Sequence, residues 1–180
     1  MVRAPVLPPS DFRQALLETY VVSERMNQMV LDRLDPRAWT AKPAGRNRRT
    51  IPAIFAHMHH ARRKWLRLSA PEIKLPAELD PRRCTRRQVQ VALARSARDC
   101  SKMLRTALTP GGSVNYFQRD GWSRHWPPGA AMFVYMIMHD THHRGQICML
   151  AHQLGFPING SHQIWMWERL WKECGFAGPR

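Results

Sequence analysis

Apolar side chains recur every three to four positions along four long stretches of this chain, the spacing of amphipathic helices. The first runs from about Asp11 to Leu34, with Phe12, Leu16, Met26, Val30 and Leu34 close to one face. Ser10 or Asp11 caps it. Pro36 ends it, because proline disfavours helical backbone at the residue before it. The second starts at Thr50, an N-cap, with Pro52 tolerated in the first turn. Its stripe is Ile54, His57, Met58, Ala61, Trp65 and Leu68. The third opens with the capping box Thr85-x-x-Gln88 and runs to about Leu108, where Thr-Pro-Gly-Gly stops it. The fourth spans about Gly129 to Leu154, with Gly155 placed to close it. Ser161 caps a shorter fifth, ending before Gly175.

Between the third and fourth helices lies a loop from Thr109 to about Pro128, carrying Tyr116, Phe117, Trp122 and Trp126. A loop of that length and aromatic content is often functional or packs over a site. No segment alternates as a strand does. The pattern predicts an all-α fold, a four-helix bundle with an added short C-terminal helix. A single domain is expected over residues 1–180, with 1–10 as a loose N-terminal arm.

Composition narrows the class. Apolar residues make up 44% of the 180 positions, enough for a hydrophobic core. No apolar run is long enough to span a bilayer, and the N-terminal stretch lacks the apolar centre of a signal peptide. A cytoplasmic protein with no membrane partner is expected. Cys84, Cys100, Cys148 and Cys174 form no Cys-x-x-Cys pair, so reduced thiols are expected rather than a zinc ribbon. Lysine and arginine outnumber acids 28 to 13, a net charge of +15. Such a surface attracts nucleic acid, phosphate or an anionic metabolite, although a solvated arginine-rich surface gives the same count.

The helix around Met136–Leu150 places imidazoles on its apolar stripe. His139 and His143 are four apart, hence on one face, together with Met136, Ile147 and Leu150. Two adjacent imidazoles facing a core need their nitrogens satisfied, by a metal ion or by hydrogen bonds. From the second helix, His57 shares the inward stripe and is the third candidate ligand. His59, His60 and His142 read as polar or boundary positions. Asp140 and Gln146 flank the pair as candidate partners of the imidazoles. Gly145, unfavourable inside a helix, suggests close approach of another helix or of a second subunit. Three histidines would leave coordination positions open, the arrangement of catalytic rather than structural sites.

The segments "IFAHMHHARRKWL" and "MHDTHHRGQICMLAHQLG" resemble the DinB/YfiT-like superfamily of metalloenzymes, over roughly Asp11 to Gly155. The resemblance rests on one histidine in the second helix and His-x-x-x-His-x-x-Gln in the fourth, here His57, His139, His143 and Gln146. It implies a four-helix bundle, often dimeric, whose three histidines bind a divalent metal such as nickel or zinc. It also implies chemistry of the kind known in the family, thiol-dependent S-transfer or isomerisation with a low-molecular-weight thiol. The expected function is therefore a divalent-metal-dependent enzyme, a transferase or a hydrolase, acting on a small anionic substrate as a homodimer. The rival readings are a basic nucleic-acid-binding helical module and a bundle whose metal is purely structural. No general acid, general base or cofactor-binding residue is assigned.

Overall fold

A computed structural model describes residues 12–45, 48–109, 116–119, 122–125 and 130–158. The helices are α1 (Phe12–Arg33), α2 (Pro36–Thr40), α3 (Ile51–Ser69), α4 (Arg86–Ala107) and α5 (Ala130–Gln153). Between α4 and α5 lie strands β1 (Tyr116–Arg119) and β2 (Trp122–His125). The expected fifth helix after Ser161 and the N-terminal arm fall outside the described residues. Each of α1 and α3 packs against both α4 and α5. The four long helices thus form a square with α1 and α3 at opposite corners, the expected all-α bundle. Among the described residues no helix is long and apolar enough to cross a membrane.

Local chemistry sets the helix ends. Thr50 accepts from the Ala53 amide and starts α3, with Pro52 in its first turn. The Thr85/Gln88 capping box starts α4. At the end of α5 the Phe156 amide donates to Ala151 and the Gly155 amide to His152, a Schellman closure. Its left-handed residue is Gly155, at φ +82°. Arg86 closes α1 by donating to the carbonyls of Leu31 and Leu34.

Two elements differ from expectation. Asp35 accepts from the Arg37 amide ahead of Pro36, so the residues that end α1 also start the single turn α2. That turn buries Ala38 and stacks Trp39 on Phe55. The aromatic loop holds an antiparallel hairpin, pairing Tyr116 with His125 and Arg119 with Trp122, and β1 lies beside α3. Asp120-Gly121 between the strands is a strong two-residue hairpin signal. Along α1 the buried face is Leu17, Tyr20, Met26 and Val30, while Phe12 is exposed.

The core is built in three levels. One apolar cluster joins Met26, Val30, Ile51, Phe55, Met58, Leu93 and Ile147. A second joins Tyr20, Trp65, Leu66, Cys100, Leu104, Phe133 and Met136. Between them, each long helix contributes buried polar residues: Ser23, Glu24 and Asn27 of α1, His59 and Arg62 of α3, Ser96 of α4, and Asp140, His143 and Arg144 of α5. Cys84 and Cys100 are buried free thiols, and burial pushes the Cys100 thiol up to about 12.

Among the described residues Gly145 does not serve the expected close approach. A Cβ built there meets none of their atoms within 4 Å. Gly145→Ala is therefore expected to stabilise the fold by about 1 kcal/mol, the helix-propensity difference. Urea denaturation measures it, and a loss of stability would show that another surface packs against this position.

Candidate metal centre

The polar level of the core opens at the α3–α5 contact, where three imidazoles converge. His57 faces His139 and His143 across the two helices, with ring centroids 5.4 and 4.6 Å away. His139 and His143, one helical turn apart, are 4.5 Å from each other. One ligand atom of each lies within 4.8 Å of the other two. The spacing of the pair on α5 and the inward stripe of α3 dictate this meeting.

The protonation pattern suits metal binding. Gln146 Oε1 can only accept, so His143 Nδ1, 2.7 Å away, carries the proton and its Nε2 keeps a lone pair. Burial, then the positive charges of neighbours including Arg49, lowers both His57 and His143 to about 4; the Gln146 bond opposes this at His143 without reversing it. At neutral pH both are uncharged, the form that ligates. His139 packs edge-on against Trp65, 5.2 Å between centroids, with Tyr135 at 6.3 Å. Its Nδ1 is buried, lacks a hydrogen bond and lies 3.6 Å from Asp140 Oδ1, itself without one. The two atoms face each other, so Asp140 is placed to orient the His139 ring and to leave its other nitrogen to the site.

The donor set fits a divalent ion. Neutral imidazoles bind nickel, zinc, copper and iron. Metal–nitrogen bonds of about 2.1 Å place donors roughly 3.4 Å apart in a tetrahedral shell, so the present spread closes by small side-chain rotations. No cysteine or carboxylate joins this group among the described residues.

Behind the imidazoles stands a charge network that sequence reading missed. Arg62 is wholly buried; it donates to Glu24 at 2.6 Å, Asp140 at 2.5 Å and the Leu93 carbonyl at 3.0 Å. From α3 it thus touches all three other long helices. Burial, the largest single influence, would raise the Asp140 carboxyl, but Arg62 and His139 together outweigh it and hold the group at about 2. Asn27 bridges the network, donating to Asp140 and accepting from Arg144.

The other candidates sort by burial. His59, read as a polar or boundary position, is fully buried between Ser96 Oγ at 3.2 Å and the Ala77 carbonyl at 2.7 Å. His60 is half-buried and accepts from the Leu79 amide. His142 is exposed beside His143. Gln146 is the partner of His143, whereas Asp140 turns one oxygen to Arg62 and the other toward His139. A cleft of about 750 Å³ opens alongside, lined by residues of the 43–54 segment and of α5 that include Gln146.

Comparison with known proteins agrees with this architecture. A DinB-like protein from Bacillus cereus ATCC 10987 superposes with a TM-score of 0.63 at 18% identity, covering 83% of this chain and 97% of that one. A DinB-family structure from Exiguobacterium sibiricum 255-15 gives 0.57 at 17% identity, covering 87% and 99%. At such identities the likeness is one of fold. No functionally curated protein matches the sequence. The model of the DinB family matches residues 10–166, and the chain belongs to that family.

Proposed function

We propose that His57, His139 and His143 hold one divalent metal, nickel or zinc, and that the protein is a metal-dependent enzyme, best read as a thiol-dependent S-transferase acting on a small anionic substrate. The observation that carries it is the convergence of three imidazoles beside an open cleft. Three protein ligands leave a coordination position free, whereas structural sites close with four. The metal would supply Lewis acidity and lower the pKa of a bound thiol. The chain's own residues do the rest. Gln146 fixes the His143 tautomer, Trp65 and Tyr135 wall His139, and Arg49 adds positive charge near two of the imidazoles. A homodimer belongs to the same reading, with exposed Val21 of α1 and Val134 and Met138 of α5 as apolar surface.

Cobalt substitution tests it. One cobalt per chain should bind, with visible absorption, and a low-molecular-weight thiol should add a sulfur-to-metal charge-transfer band. Cobalt that binds but ignores every thiol would sink the S-transfer reading, leaving a structural ion or an oxygen substrate.

A further inference from the structure

The cleft beside the imidazoles has a chemical character of its own. On one side stand Arg48 and Arg49, just ahead of α3; on the other, α5 presents Gln146, Met149 and Leu150. Ile54 adds a further apolar side chain. Both arginines are exposed, and among the described residues neither has a hydrogen bond or ion pair. The nearby buried carboxylates do not serve them. Glu24 and Asp140 are both engaged by Arg62, and with Arg144 the network holds two acids against two guanidinium groups. The cationic side of the cleft is therefore uncompensated from within, and the charge of Arg49 acts on both His57 and His143.

We infer that this cleft binds a small amphiphilic organic anion, its acid group on Arg48 and Arg49 and its apolar body along Ile54, Met149 and Leu150. Guanidinium groups pair with carboxylate, sulfonate or phosphate oxygens through paired N–H donors. The volume is that of small-molecule sites. Gln146 lines the cleft and also bonds His143, so one side chain separates the bound molecule from that imidazole. As the substrate of a metal enzyme this anion rests on the function proposed above, whereas its binding is measurable without metal.

The test uses the full chain, metal-free and zinc-loaded, titrated by calorimetry at low salt with 4-phenylbutanoate and with its uncharged amide. The metal-free protein should bind the acid about tenfold or more tightly than the amide, as charge-assisted hydrogen bonds require. In the Arg48→Gln/Arg49→Gln variant that ratio should fall to near one, with zinc stoichiometry unchanged. Equal affinities for acid and amide, no binding of the acid at millimolar concentration, or a preference retained by the double variant would each overturn the inference. If zinc fails to bind while the arginine-dependent preference persists, the metal reading falls and the anion site stands.

Discussion

Replacing Arg62 with methionine should remove about 3–5 kcal/mol of folding stability, the scale for leaving buried charge uncompensated. Arg62 is wholly buried, and its partners Glu24 and Asp140 are 11% and 1% exposed. Truncation strands two carboxylates between apolar clusters, and no other cation in the level can replace a group bonded to three helices. Arg144 is already committed to Asn27 and the Ser23 carbonyl. Neutralising the whole set, in Arg62→Met/Glu24→Gln/Asp140→Asn, should recover more than half of the loss, because uncharged groups are far easier to bury. Chemical denaturation of both variants decides it. A single variant within about 1 kcal/mol of the parent would show that water solvates the level and that the charges are not held dry.

Removing any one of His57, His139 and His143 should abolish stoichiometric metal binding, since two imidazoles alone chelate weakly. Gln146→Ala, which frees His143 to change tautomer, should weaken binding by about 10–100-fold while the ligands remain. His59→Ala is the matched control. It lies two residues from His57 but is buried against Ser96 and Ala77, so it should lose stability, about 1–3 kcal/mol for the partners left unsatisfied, and keep its metal. Elemental analysis and thermal unfolding on the same preparations separate the two effects. Full metal content in His139→Ala and His143→Ala would sink the site, and metal loss confined to His59→Ala would move it to the other face of α3.

Much of this was legible because short-range chemistry and long-range packing agree. Thr50, Thr85 and Gln88 announce helix starts through side-chain oxygens that accept from backbone amides, and Gly155 a helix end through its own amide. The His139–His143 pair needs only helical geometry to share a face. What escaped the reading lies where one element has two buried faces. Because α3 packs on both α4 and α5, it carries a second inward row, Ile51, Phe55, Arg62 and Leu66, beside the first. Arg62 is the charged member of that row, which was its signal. Within a run of arginines it read as surface charge. His59 was hidden the same way. The hairpin is hard to read because Tyr-Phe-Gln-Arg and Trp-Ser-Arg-His do not alternate apolar with polar, and α2 because Asp35-Pro36 both stops one helix and starts the next.

The polar level also governs which alignments of the helices are permitted. Apolar cores accept sliding, since one leucine-sized side chain replaces another with little penalty. A slip of α5 by one turn, about 5.4 Å, is different. It would bring Met136 or Arg144 to the position of Asp140 opposite Arg62. The first leaves a buried guanidinium without its acid, and the second sets two cations together. The same slip would leave only one imidazole of the pair facing His57, with Tyr135 or Ile147 in the place of the other. One charged layer therefore works as a detent: it locks the vertical register of the bundle, and with it the meeting point of three side chains from two helices.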